Sequence, residues 1–220
     1  MTPLLNDLVA LLGALVVFNV CLTVSAIVIA LPIACLFAVG RLSRRPLVYY
    51  PVTAYVNVLR SSPLLMIMFW AYYTGPMITG APTSAYTAAL IALAAFEVAY
   101  FTELVRAGLQ SISSGQRDAA LATGLKPSQA MRLVILPQAL RRMLPSLLSQ
   151  SIIAFQDSTI ASVIGVSDVF SVTNIISARE QRPIELYTAL AAIFFVLCYG
   201  LSRLVRALEA HVNARTAGPG

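Results

Sequence analysis

Glu97 and Asp157 are carboxylates set inside long apolar runs, the second within the polar string Gln156-Asp157-Ser158. A charge at the centre of a bilayer costs about 2.5 kcal/mol or more even on the gentlest insertion scale, so such groups must face protein or a water-filled cavity. Three kinds of chemistry are open to them. They could hold the ammonium group of a passing solute, relay protons, or, neutralised or paired with neighbouring hydroxyls, lock helices together. A second constellation is basic: residues 106–142 carry Arg106, Arg117, Lys126, Arg132, Arg141 and Arg142 against the single acid Asp118. Within it Asp118-Ala119-Ala120, Gly124 and Leu136-Pro137 follow in order. That stretch reads either as a surface hairpin that only stabilises the fold or as a docking element.

Hydrophobic residues make up 59% of the chain and charged residues 11%, with a mean hydropathy of +0.82. These values exclude an ordinary soluble domain and predict an all-α, polytopic membrane protein. The net charge of +6 comes from cations flanking apolar spans, where orientation and anionic lipid explain it and nucleic acid does not. Cys21, Cys35 and Cys198 lie inside apolar stretches and imply neither a disulfide framework nor a metal site. No G-x4-G-K-[ST] loop occurs, so the chain is not expected to hydrolyse ATP. The first apolar run is too long for a signal h-region and no Lys or Arg precedes it, which predicts an uncleaved first span.

Five spans are expected, at about 13–39, 64–78, 86–105, 146–166 and 186–205, in one domain over 1–215 with a disordered tail at 216–220. Pro32 should kink the first. Arg41, Arg44 and Arg45 after it, and Arg203, Arg206 and Arg215 after the last, place the N-terminus outside, the C-terminus inside and the 106–142 loop in the cytoplasm. Pro46–Ser62, with Tyr49, Tyr50 and Tyr55, should lie along the inner interface, and residues 167–186 should form an external polar segment. Glu97 falls about 16 Å below Tyr86, near the bilayer midplane, while Glu103 is expected to pair with Arg106 at i,i+3. In the loop, Ser113 and Gln116 fit a capping box, Gly124 a left-handed stop, and Pro127 the first turn of a helix running toward Leu136-Pro137.

The spacing Asp118-Ala119-Ala120, three residues, Gly124, nine residues, Val134-Ile135-Leu136-Pro137 resembles the E-A-A-x3-G-x9-I-x-L-P loop of ATP-binding-cassette (ABC) importer permeases. Asp here replaces Glu and Val replaces Ile. The resemblance implies a cytoplasmic coupling helix in which Asp118, Ala119, Ala120, Gly124, Leu136 and Pro137 engage an ATPase subunit. That subunit would bind ATP and magnesium, leaving no cofactor in this chain. The likeness extends to Tyr55-Val56-Asn57-Val58-Leu59-Arg60-Ser61-Ser62-Pro63, to Glu97-Val98-Ala99-Tyr100, and to Phe155-Gln156-Asp157-Ser158, where Gln replaces a Lys. On these motifs the chain is identified as a member of the polar-amino-acid ABC permeases, and it is most similar to those for glutamate and aspartate.

Membership would imply a type I importer fold in a bacterial inner membrane. The expected partners are two ATPase subunits, a second identical or homologous permease, a periplasmic solute-binding protein, the amino-acid substrate and lipid, with no nucleic acid. It would place Glu97, Tyr100, Gln156, Asp157, Ser158 and Arg60 along the substrate path. There Asp157 and Glu97 would hold the ammonium while Arg60 or a helix N-terminus meets a carboxylate; Arg60 anchored to headgroup phosphate is an equal reading. Outside that family, the same acids would suit a proton-coupled secondary transporter or channel. A scaffold subunit without a path would leave them idle, and a membrane enzyme lacks a recognisable nucleophile or metal cluster.

Overall fold

The computed structural model describes residues 3–216, with side-chain surroundings for Asp7 and residues 9–210. Every described element is helical. Helix α1 (Pro3–Ala14) passes through a π-helical turn (Leu15–Val20) into α2 (Cys21–Arg41). Helices α3 (Pro46–Ser61) and α4 (Leu64–Thr79) meet at 109°. After α5 (Ala85–Gln110), α6 (Ser114–Ala122) and α7 (Pro127–Ala130) form a hairpin. A second π-helical turn (Met131–Ile135) leads into α8 (Leu136–Asp157), a 3-10 stretch (Ser158–Ile164), α9 (Val169–Glu180) and α10 (Pro183–Thr216). The continuous helices Val9–Arg41, Ala85–Gln110, Pro127–Ile164 and Pro183–Ala210 are each long and apolar enough to cross a bilayer, and the α3–α4 pair would make a fifth span. Of the tail expected at 216–220, residues 217–220 lie outside the described residues.

Apolar side chains gain little by exchanging lipid for protein, so helices in a membrane associate through close fit, which small residues favour. Helix α2 carries such residues at every fourth position, Ala26, Ala30, Ala34 and Ala38, all fully buried. They lie along α5, whose buried residues run from Ala88 to Gly108. Leu22 and Ala26 meet Ala88, Ala92 and Leu93 at one end of the seam. Ala30 and Ala34 meet Val98 and Phe101 in the middle, and Ala38 meets Val105 and Met143 at the other end. A Cβ added to Gly108 would lie 2.7 Å from the Met143 Cβ, so α5 and α8 cross there almost backbone to side-chain root.

Several expectations need correction. An irregular turn that the sequence did not suggest comes at Leu15–Val20, while Pro32 lies inside the continuous helix α2. The helix that carries the fourth span starts at Pro127, well before 146, because neither Pro137 nor Pro145 stops it. The π-helical turn just before Pro137 lets the helix continue, since the wider turn does not require the amide hydrogen bond that proline lacks. Helix α5 runs to Gln110, so the first residues assigned to the loop are helical. The segment 167–186 is no plain polar loop: α9 buries Val169, Thr173, Ile176 and Ser177 along one face, at helical spacing. Arg179 on α9 donates to Asp7 of α1 (2.7 Å) and to Glu180 (2.9 Å), and these two carboxylates raise its pKa. Ser113 does precede α6, but its side chain makes no capping bond.

Candidate functional site

The α-geometry of α8 ends at Asp157, and the reason is local. Three hydroxyls bond back three residues, Ser158 to the Phe155 carbonyl (2.7 Å), Thr159 to that of Gln156 (2.8 Å) and Ser162 to that of Thr159 (2.8 Å). These bonds satisfy carbonyls that a 3-10 register would otherwise strain, and Gly165 closes the stretch at φ +93°. At the break Gln156 is exposed, Asp157 half-buried and Ser158 fully buried. Gln156 and Thr159 open onto a cleft of about 670 Å³ between this region and α10, lined further by Phe170, Tyr187, Phe194 and Arg206. A second cleft, of about 780 Å³, runs between α4 and α5 and includes Tyr55, Trp70, Thr74 and Thr87.

The other expected path residues divide into two groups. Glu97 is fully buried on α5, where both carboxylate oxygens accept from Gln150 Nε2 of α8, at 3.3 and 3.2 Å. It opens onto neither cleft. Ser158 is equally enclosed and faces Asn19. Arg60 is exposed at the end of α3, with its guanidinium carbon 5.3 Å from the centre of the Tyr100 ring, an attractive cation–π position. Nearby, the Tyr55 hydroxyl donates to the Ala95 carbonyl at 2.7 Å, fixing α3 against α5. Glu103 pairs with Arg106, as its spacing predicts, and also with Arg41 of α2. One carboxylate thus ties the ends of two helices.

The 106–142 region folds as a braced hairpin. Ala120, Ala130 and Ile135 are buried, while Asp118, Ala119, Gly124, Leu136 and Pro137 are exposed. Gly124 turns the chain at φ +86°, and Gln129 Oε1 accepts from the Lys126 amide at 2.9 Å at the start of α7. Gln138 Nε2 donates to Gln116 Oε1 at 3.3 Å, and Arg142 donates to the Ser111 carbonyl at 2.5 Å. The α6 face bearing Asp118 and Ala119 is therefore held outward.

Residues that sequence reasoning passed over are Asn19, Gln150 and Asp168. Asn19 is the only amide side chain in the run from Gly13 to Val39, a signal that was available. Nothing in the sequence says that it meets Asp168, which reads as one more charge of an external segment.

The family model of the binding-protein-dependent transport system inner membrane component matches residues 26–214. The glutamate/aspartate import permease protein GltK of Escherichia coli O157:H7 is 39% identical over 195 residues, covering 86% of this chain and 87% of that protein. The probable glutamine ABC transporter permease protein GlnP of Bacillus subtilis is 35% identical over 174 residues, 77% of this chain and 78% of that one. Among solved structures, the crystal structure of an amino acid ABC transporter with histidines superposes with a TM-score of 0.88 at 32% identity, over 96% of this chain and 100% of that one.

Proposed function

Because the chain belongs to the inner membrane components of binding-protein-dependent transport systems, we propose that it carries glutamate or aspartate past the helix break at Asp157. As the permease subunit of an amino-acid ABC importer in a bacterial inner membrane, it is not itself an enzyme. The observation that carries the proposed path is that break: polar, partly open residues where a long apolar helix leaves α-geometry. Irregular backbone at membrane depth is tolerated only where it is buried in protein or lines a cavity, and transporters bind cargo at such interruptions.

In this reading Asp157 attracts the cargo ammonium and Gln156 offers a neutral amide. Arg60, which makes no ion pair among the described residues, is free for a cargo carboxylate or a lipid phosphate. Glu97, enclosed with Gln150, braces the path wall. The acidic cargo is supported by the likeness to GltK. The exposed face of the 106–142 hairpin docks on an ATPase subunit that holds ATP and magnesium. A second permease and a periplasmic solute-binding protein complete the importer, with the N-terminus outside and the C-terminus inside.

The test is uptake into proteoliposomes containing the permease and its ATPases, supplied with binding protein, ATP and radiolabelled glutamate, aspartate, glutamine or arginine. With the proton gradient collapsed, glutamate and aspartate uptake should persist, and Asp157→Asn should lower it at least about tenfold. Uptake that died with the gradient would restore the proton-coupled reading, a preference for arginine would overturn the cargo, and an unaffected Asp157→Asn would overturn the path.

A further inference from the structure

Three departures from regular helix meet at one side chain. Asn19 lies in the π-helical turn Leu15–Val20 and is fully buried. Its Nδ2 donates to Ser158 Oγ at 3.0 Å, at the first residue of the 3-10 stretch. The same nitrogen donates to Asp168 Oδ2 at 3.3 Å, the residue that caps α9 by accepting from the Ser171 amide at 2.9 Å. Its Oδ1 accepts from the Val169 amide at 3.1 Å. Each partner is 139 or more positions away in sequence. Thr23 adds a bond to the Asn19 carbonyl at 2.7 Å, using an acceptor in the widened turn.

Every polar atom of the amide is used, and each bond lands on a place where the chain stops being an α-helix. Such places free backbone groups and have no intrinsic orientation, so something outside the helix must set their direction. Ser158 is the informative partner. Its hydroxyl hydrogen goes to the Phe155 carbonyl and one lone pair receives Asn19, so it has no hydrogen for a cargo, and full burial keeps the second lone pair from one. What Asn19 fixes through Ser158 is the rotation of the chain at the break. That rotation aims Asp157 and Gln156, the two preceding side chains.

We infer that Asn19 is the positioning residue of the cargo path, orienting Asp157 and Gln156 through its hydrogen bonds to Ser158, Asp168 and the Val169 amide. The inference rests on the path lying at Asp157. Its donors and acceptors can be exchanged: in Asn19→Asp combined with Asp168→Asn, the new amide on α9 donates to the new carboxylate in the π-helical turn. The Val169 amide and the Ser171 cap keep their acceptors, and Ser158 can turn its own hydrogen toward that carboxylate. Asn19→Asp alone instead sets two carboxylates against each other.

The test is the ratio of radiolabelled glutamate to glutamine taken up by the reconstituted permease–ATPase complex with one fixed binding protein. A ratio does not depend on how much complex assembles, so a purely structural role for Asn19 would leave it alone. Asn19→Asp should change the ratio at least about threefold, and the double variant Asn19→Asp with Asp168→Asn should return it to within about twofold of the original. Should Asn19→Asp fail to assemble, Ser158→Ala, which removes the acceptor facing Asn19 together with the hydroxyl bond to the Phe155 carbonyl, should shift the ratio in its place. An unchanged ratio in the assembled single variants, or a double variant that assembles and fails to restore it, overturns the inference. Asp157→Asn is measured beside them: if it changes neither rate nor ratio the path itself is misplaced, whereas if it alone shifts the ratio only the role of Asn19 is lost.

Discussion

Glu97 shows how far burial redirects a residue that composition marks as functional. A carboxylate inside a membrane-crossing helix must find partners, and here it finds Gln150 on the neighbouring helix instead of open water. The pair therefore belongs to helix association before it belongs to transport. Replacing Gln150 by Leu removes the donor and leaves Glu97 enclosed and unsatisfied, which should destabilise the protein by about 1–3 kcal/mol, more if the carboxylate stays charged. Replacing both residues by Leu should cost less than Gln150→Leu alone, because no polar group is then stranded. Thermal unfolding of the detergent-purified complex checks the order: a double variant less stable than the single one would mean that the pair adds net stability of its own.

Helix packing carries the next level, and Gly108 against Met143 is a tight point in it. With the added Cβ placed 2.7 Å from the Met143 Cβ, atoms near the backbone of α8 would have to move, since that carbon is no flexible side-chain end. Gly108→Ala should destabilise by about 1–3 kcal/mol, and adding Met143→Ala should recover only part of that, because the Cβ of position 143 remains. Thermal unfolding of the two variants separates the causes: full recovery would mean that the thioether, 3.0 Å from the added atom, was the real obstacle.

At this scale the sequence was partly legible. The apolar runs locate α2, α5 and α10, and glycine and proline mark the turns at Gly80 and Gly124, both at positive φ. Charge density hid α9, because Arg179 and Glu180 cluster at one end of a helix whose other turns are buried along one face. Proline misled at Pro137, where a π-helical turn removes the need for a helix end. Pairings such as Asn19 with Asp168 join distant positions, and no local pattern records them. The spacing from Asp118 to Pro137, by contrast, is legible in full, because it lies within one hairpin and the start of the helix that follows.

For the whole molecule, the consequence of reading through Pro137 and Pro145 is that one helix of 38 residues joins the hairpin to the break at Asp157. At about 1.5 Å per residue, Pro127–Ile164 extends about 57 Å, with the exposed hairpin at one end and the break at Asp157 toward the other. Between them it is pressed against α5 at Gly108, a contact too close to let the helix slide freely. If the hairpin docks as proposed, a push on it would reach Asp157 through this single continuous helix. The conformation of Gly124 sets how α6 meets that element. An added Cβ there would find open space, so any penalty comes from φ +86° and not from crowding. A β-branched residue should therefore distort the turn while Asn, which visits the left-handed region, should keep it. Gly124→Val is expected to insert normally and lose most cargo-stimulated ATP hydrolysis by the partner ATPase, with Gly124→Asn staying within about threefold of the unmodified complex. Stimulated hydrolysis measured on both purified complexes decides the matter: if Gly124→Val is stimulated as strongly as Gly124→Asn, the hairpin turn does not carry the signal.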